Sequence, residues 1–416
     1  MERPIDEFVK TEKCIVCGVF LGTGKLEDSD PESLEELKAL CEASGAEVVG
    51  EITQNREAPD SRTVLGKGKI EELKNAVEEL DANLVVFDCE LSGSHTRNIE
   101  EELKVRVIDR SRLILDIFAL RATTREGKCQ VELAQLLYHL PRLSGIGTSL
   151  SRLGGGIGTR GPGETQLETD KRHIRERIAN LRRELKEIEK NRETQRKQRA
   201  KNEVVNIALV GYTNAGKSSL LNALTGSEQY VEDMVFATLD PLSKKLTLAD
   251  DRQAVLTDTV GFIRKLPHHL VEAFKSTLEV CCEADLLLHV MDATDENLPN
   301  HKKTVENLLK DLGAEAKPIL SVYNKADNLT EEFISEKDSI MVSAKTGYHV
   351  DELLQKITEL TRTTEVERVI RIPYDKSYLV ARIHDQLKVL DTRYENEYQE
   401  LTVYGKEELI AQYEQL

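Results

Sequence analysis

The sequence predicts an α/β chain of 416 residues in four parts. These are an N-terminal α/β domain (1–110), an antiparallel helical hairpin or coiled coil (111–201), a third domain with a mixed, mostly parallel sheet (202–363), and a small C-terminal α+β domain (364–416). Three observations lead there. Short apolar runs alternate with amphipathic stretches at both 1–110 and 203–362, the pattern of strands interleaved with helices. Ile174, Ile178, Leu181, Leu185 and Ile188 recur at spacings of four and three, the seam of a coiled coil. The stretch GYTNAGKS (211–218) sits between an apolar run and a helical one.

In the first part CIVCGVFL, EVVGEI, LVVFDC and VRVID read as strands, and PESLEELKALCEASG and GKIEELKNAVEEL as the helices between them. Next, RLILDIFALRA and QVELAQLLYHLPRL lead into one helical arm, and the 174–188 seam marks a second of similar length. The stretch 144–165 separates them, and eight of residues 145–163 are glycine. Two arms joined by such a loop pack as an antiparallel hairpin. The polar joint RTTEV (362–366) precedes strand (VERVIRIP), helix (DKSYLVARIHDQ), two strands (KVLDTRY, YQELTVY) and a last helix (KEELIAQYEQL).

Net charge is −17, which argues against blanket binding to nucleic acid. Residues 171–201 reverse it locally, with thirteen Lys/Arg against five Glu. Segregated charge of this kind aims one face at a polyanion, although a charged helix is also an ordinary solvated face. No apolar run reaches the ~18 residues of a membrane span. Seven cysteines without a secretion signal read as reduced thiols of a cytoplasmic chain, with transient membrane association left open. Cys14-x-x-Cys17 has no second pair and lies in a strand, where its two side chains point to opposite faces, so zinc is not expected.

GYTNAGKS fits G-x-x-x-x-G-K-[ST] in the strand–loop–helix context that a phosphate loop requires. Backbone N–H groups of Gly211, Tyr212, Thr213, Asn214, Ala215 and Gly216 curl around phosphate oxygens, helped by the helix N-terminus and Ser219. Lys217 reaches the β- and γ-phosphates, and Ser218 holds Mg²⁺. Asp258-Thr259-Val260-Gly261 closes a strand, which puts a carboxylate toward the metal through water and the Gly261 N–H toward the γ-phosphate. Thr238, in Phe236-Ala237-Thr238, completes the metal shell as a switch threonine. Lys217, Thr238 and Gly261 are thus the expected catalytic set, and Ser218, Thr238 and Asp258 the metal set. Asn324-Lys325-Ala326-Asp327 closes another strand. A carboxylate there accepts from N1–H and the 2-amino group of guanine; adenine lacks these donors and leaves it unpaired. Ser343-Ala344-Lys345 cradles the base from the other side. In order and spacing these resemble the five motifs of the translation-factor-related P-loop GTPases, a resemblance that implies GTP/GDP and Mg²⁺ as ligands. Phe262 stands where Ras-like enzymes place a water-orienting Gln, so intrinsic turnover is expected to be slow. His268 and His269 read as surface residues rather than catalytic ones.

GGIGTRGPGETQLETDKRHIRERI (155–178) ahead of VGYTNAGKSSLLNAL resembles the HflX family of ribosome-associated GTPases. TRNIEEEL (96–103), VIDRSRLILDIFALRATTREGKCQVELAQLLY (107–138), FATLDP and DTVGFIRKLPHHLVEAF are similar to it too. The resemblance covers roughly residues 10–365 and is weak beyond. It implies binding to the large (50S) ribosomal subunit and its 23S rRNA, and splitting of stalled or idle 70S ribosomes under stress. It also implies a hairpin that reaches the peptidyl-transferase region. Asn214 resembles the Asn of potassium-activated GTPases, which leaves K⁺ open beside a purely structural role. Arg142, Arg152, Arg160, Lys171, Arg172 and Arg175 are the candidate RNA contacts. No aromatic residue lies in the glycine-rich loop, so stacking on bases is not its evident mode. A monomer is expected. The alternative is a GTP-binding factor that acts on another RNA, with ATP hydrolysis in the N-terminal domain. No phosphate-loop motif supports that hydrolysis, and Gly66-Lys67-Gly68-Lys69 reads first as a helix-capping turn.

Overall fold

Lys13–Leu21 (β1) is buried along seven consecutive positions, as in a strand covered on both faces. Cys14 and Val16 face Leu34, Leu37 and Leu40 of α1 (Pro31–Ala43), while Ile15 and Cys17 face Leu73 and Val77 of α2 (Lys67–Glu79). The two thiols therefore do lie on opposite faces. In this computed structural model of the chain, the described residues are 12–22, 30–143, 162–201, 204–227, 234–265, 270, 273–329, 339–362, 365–395 and 397–414. The chain divides into two compact units, residues 1–354 and 355–416.

In the first unit, β1 pairs in parallel with β2 (Glu47–Arg56) and β3 (Leu84–Phe87), and β3 with β4 (Arg106–Asp109), in the order β2-β1-β3-β4. Helix starts follow local chemistry. Asp30 caps α1 by accepting from the Ser33 N–H at 3.1 Å, with Pro31 at the first turn. Ser92 caps α3 (Gly93–Leu103), and Asp109 caps α4 (Arg110–Arg121).

The first arm of the hairpin differs from the expectation of two similar rods. It breaks after α4, and a new helix, α5 (Arg125–Arg142), starts under its own cap, Thr124. The second arm is one helix of 40 residues, α6 (Pro162–Lys201). The arms are antiparallel: Arg192 pairs with Glu126 and Arg177 with Glu132, each at 2.6 Å. These are mostly surface pairs, worth ~1 kcal/mol or less apiece. The apolar seam of Cys129, Leu133, Leu136, Leu137 and Leu140 against Ile174, Ile178, Leu181 and Leu185 carries the packing. Ile188 is half-buried and outside that cluster. Most of the glycine-rich loop, with Arg152 and Arg160, lies outside the described residues.

A second sheet follows: β5 (Val205–Val210), β6 (Leu242–Thr247), β7 (Gln253–Asp258), β8 (Leu286–Asp292), β9 (Ile319–Asn324) and β10 (Ile340–Met341). The order is β10-β9-β8-β5-β7-β6, parallel except for the antiparallel β6 at the edge. Helices α7 (Lys217–Thr225), α8 (Lys275–Glu283) and α9 (Leu298–Asp311) complete this part. One apolar cluster crosses the two halves of the unit: Ile114, Phe118, Val131 and Ala134 of the first arm pack with Phe236, Leu239, Val260 and Phe274.

The division between the units falls within α10 (Val350–Leu360). In the second unit β11 (Glu365–Pro373), β13 (Tyr398–Lys406) and β12 (Lys388–Tyr394) form an antiparallel sheet with β13 central. Ile370, Ile372, Leu401 and Val403 pack on Leu379 and Ile383 of α11 (Tyr378–Gln386) and Ile410 of α12 (Glu407–Glu414). Among the described residues, no helix is long and apolar enough to cross a membrane.

Candidate nucleotide-binding site

β5 is buried up to its end and delivers the chain into Gly211 and Gly216, at φ of 154° and 86°. A β-carbon at Gly211 would collide with the Val290 carbonyl, and one at Gly216 with the Asn324 amide. Only glycine tolerates both constraints. The turn hands the chain to α7, whose first residue is Lys217. Its ammonium is buried and donates to the Gly211 and Tyr212 carbonyls at 3.1 and 2.8 Å. Burial pulls its pKa down to about 8, against the pull of the Asp258 carboxylate.

Three oxygens converge beside it. Ser218 Oγ donates to Asp258 Oδ2 at 2.6 Å, Thr238 Oγ1 donates to the same oxygen at 3.1 Å, and the two hydroxyls lie 2.8 Å apart. Asp258 is fully buried, and burial pushes its carboxyl above the usual range. Its Oδ1 is buried with no hydrogen-bond partner among the described residues. Buried polar atoms are seldom left so. Two hydroxyls and a carboxylate with an unused oxygen suit a hard divalent cation such as Mg²⁺.

At the other end, Asn324 ties three loops together. Its Nδ2 donates to the Ala215 carbonyl and its Oδ1 accepts from the Ala344 N–H, both at 3.0 Å. Lys325, at φ 64°, pairs with Asp292 at 2.7 Å. Asp327 is exposed and accepts from Ser343 Oγ at 2.7 Å, a bond that holds its carboxyl below the usual range. Between these ends lies a cavity of about 380 Å³. Thr213, Asn214, Gly216, Lys217, Ser218, Ser219, Phe236, Ala237, Thr238, Thr259, Gly261, Asn324, Lys325, Asp327, Ala344 and Lys345 are among the residues that line it. Gly211, Tyr212, Ala215, Asp258, Val260 and Ser343 are not part of that lining.

Residues 31–119, 121–199 and 206–325 match, in turn, family models described as GTP-binding GTPase N-terminal, GTP-binding GTPase Middle Region and 50S ribosome-binding GTPase. A GTPase HflX of Caldanaerobacter subterraneus subsp. tengcongensis is 53% identical over 363 residues, 87% of this chain and 85% of its own length. This chain belongs to the HflX family of GTPases. A GTPase HflX of Escherichia coli K12 is 44% identical over 379 residues, covering 89% of this chain and 88% of that relative. The HflX-family chain is a GTP-binding GTPase.

The HflX-family site has neighbours that sequence reasoning missed. Tyr212 turns its ring away from the cavity and stacks on His301 of α9, with centroids 3.7 Å apart. Its hydroxyl donates to Glu36 of α1 and accepts from the Arg264 N–H at 2.9 Å. Arg264 pairs with Glu32 at 2.5 Å, and Lys265, at φ 53°, with Asp88 at 2.5 Å. Buried Arg110 bridges Asp88 and Glu36. The one signal in the sequence was Arg264-Lys265, one residue past the DTVGF motif. Phe262 points into the apolar core with Leu278, Cys281 and Leu287, so its side chain offers nothing to an attacking water.

Arg142 is corrected as an RNA candidate. It pairs with fully buried Asp109 at 3.1 Å, donates to the Leu91 carbonyl at 2.9 Å and lies 3.5 Å from the Tyr138 ring centroid. A guanidinium so committed is not presented to a polyanion. Arg172 and Arg175 are exposed on α6, and Lys171 is half-buried. His268 and His269 lie outside the described residues.

Proposed function

We propose that this GTPase is Mg²⁺-dependent, grips the 50S subunit in its GTP state and splits stalled or idle 70S ribosomes under stress. The supporting observation is a single cavity of about 380 Å³ with three metal-suited oxygens at one end and the Asn324–Asp327 pair at the other. Ser218 and Thr238 would hold Mg²⁺ directly and Asp258 through water. The ion would supply charge neutralisation at the β- and γ-phosphates. Lys217 neutralises the same phosphates, and its carbonyl partners at Gly211 and Tyr212 keep it aimed along the loop. The Gly261 N–H reads the γ-phosphate. Asp327 selects guanine, oriented by Ser343.

With Phe262 turned into the core, the group that orients water comes from elsewhere. Asn214, exposed at φ 59° on the cavity wall, would hold a K⁺ in the place of an arginine finger. The family model described as 50S ribosome-binding GTPase and the relatives named GTPase HflX support the ribosomal partner. Exposed Arg172 and Arg175 support contact with 23S rRNA. A GTP-dependent grip requires different affinity in the two nucleotide states. The test is sedimentation with 50S, 30S and 70S particles, with GDP or a non-hydrolysable GTP analogue. Analogue-dependent cosedimentation with 50S, and conversion of 70S into subunits, are expected. Cosedimentation indifferent to nucleotide, or intact 70S particles, would refute the reading.

A further inference from the structure

The segment 236–240 joins the nucleotide cavity to the base of the helical hairpin. Thr238 Oγ1 reaches Ser218 and Asp258 at one end of the cavity. Two residues on, Asp240 is held by four donors at the start of α5. Its Oδ2 accepts from the Thr123 N–H at 2.9 Å, the Thr123 hydroxyl at 2.7 Å and the Thr124 N–H at 2.9 Å. Its Oδ1 accepts from the Thr124 hydroxyl at 2.6 Å. That hydroxyl is also the cap of α5, accepting from the Gly127 N–H at 3.0 Å. A β-carbon on Gly127 would strike Asp240 Oδ1, so the carboxylate sits against bare backbone. The positive end of the helix and four hydrogen bonds to a charged acceptor favour this seat. Burial opposes ionisation, yet the Thr124 and Thr123 donors hold the Asp240 carboxyl below its usual range.

The apolar residues of this segment are held in the core. Leu239 is buried in the cluster that contains Ile114, Phe118, Val131 and Ala134 of α4 and α5. Phe236 is buried at φ 55°, a strained setting for an aromatic residue, with its ring edge-on to Phe118 at 4.7 Å. Two residues of extended chain span about 7 Å at most, so Thr238 and Asp240 move as one piece.

We propose that Asp240 is a positioning residue that couples Thr238 to the N-terminus of α5, so that the hairpin reads the state of the nucleotide through this segment. The inference rests on the reading of Thr238 as the residue that senses metal and γ-phosphate. A change in how Thr238 is held shifts Asp240, and with it the cap of the helix that carries the hairpin seam.

The test is hydrogen exchange of the full chain over residues 121–130, with Mg²⁺ and either GDP or a non-hydrolysable GTP analogue. The wild type is expected to show different protection in the two states. Asp240→Asn keeps the shape but turns one acceptor into a donor; it is expected to lose that difference while retaining GDP affinity within about twofold. Thr123→Val removes one donor and is expected to reduce the difference by about half, which serves if Asp240→Asn does not fold. A residue that merely braces the fold would lower Tm and leave the difference in place. No difference in the wild type, or an undiminished one in Asp240→Asn or Thr123→Val, overturns the proposal. Loss in Asp240→Asn with retention in Thr238→Ala overturns the coupling to Thr238 and leaves Asp240 as a link from another part of the nucleotide site.

Discussion

Asp327→Asn tests the guanine reading most directly. Asp327 is exposed, and the Ser343 hydroxyl holds one of its oxygens at 2.7 Å, which aims the carboxylate without consuming all of its acceptor capacity. Guanine would donate to it from N1–H and from the 2-amino group. Two hydrogen bonds to a charged acceptor in a solvent-accessible place sit at the low end of their range, so their loss costs about 3 kcal/mol, or roughly 10²-fold in affinity. The amide nitrogen of asparagine donates instead of accepting. Xanthine carries a C2 carbonyl where guanine has its amino group, so the variant should gain xanthosine triphosphate as it loses GTP. The assay is calorimetry of GTP, ATP and xanthosine triphosphate at fixed Mg²⁺, with a thermal melt as the control for folding. Ser343→Ala, which only frees the carboxylate to rotate, should cost about 1 kcal/mol. An Asp327→Asn protein that binds GTP as the wild type does, or that gains no affinity for the xanthine nucleotide, would refute the base-recognition argument.

Lys217→Ala removes a buried ammonium from the phosphate loop and should weaken both GTP and GDP by at least about 10²-fold, measured by fluorescent nucleotide titration. Arg142→Ala should act on stability, because it leaves the buried Asp109 carboxylate without its cation; a cost of about 3 kcal/mol should show as a lowered Tm. Arg172→Ala with Arg175→Ala should do the reverse, leaving Tm unchanged and flattening the salt dependence of 50S binding by about one to two units of slope. The Asp240 and Asp295 carboxyls are held below their usual range by their hydrogen-bond donors, in opposition to burial. Groups shifted this way stabilise the fold fully above the unfolded value of about 4 and lose that contribution as pH falls through the folded value. Melts in acid should therefore show Asp240→Asn losing less stability than the wild type below about pH 4.

Some of this molecule is written locally. The phosphate loop is legible because its chemistry sits in eight consecutive residues: only glycine can occupy Gly211 and Gly216, and lysine and serine must follow them. The strands are legible because β1 and β8 are buried on both faces and so read as unbroken apolar runs. The seam of α6 is legible because a helical period leaves its mark every three or four residues. The C-terminal alternation is legible for the same reason, since Ile370 and Ile372 or Leu401 and Val403 mark one face of each strand. Other features have no local signature. The break at Ala122–Thr124 interrupts a run that is apolar on both sides, and it is set by the capping of α5 and the seat of Asp240. Arg142 carries the same charge as Arg172, and only the position of Asp109 beneath it makes it a structural cation.

The sequence by itself was enough to expect a guanine nucleotide between a phosphate loop and the NKAD stretch, because each of the proposed contacts is made by residues adjacent in the chain. Tertiary structure alone decided what adjoins that site. Tyr212 meets Glu36, Lys265 meets Asp88, and Asp240 meets Thr123 across 176, 177 and 117 residues of chain, respectively. Such pairings follow from which surfaces bury their apolar area together, and no spacing along the chain encodes that.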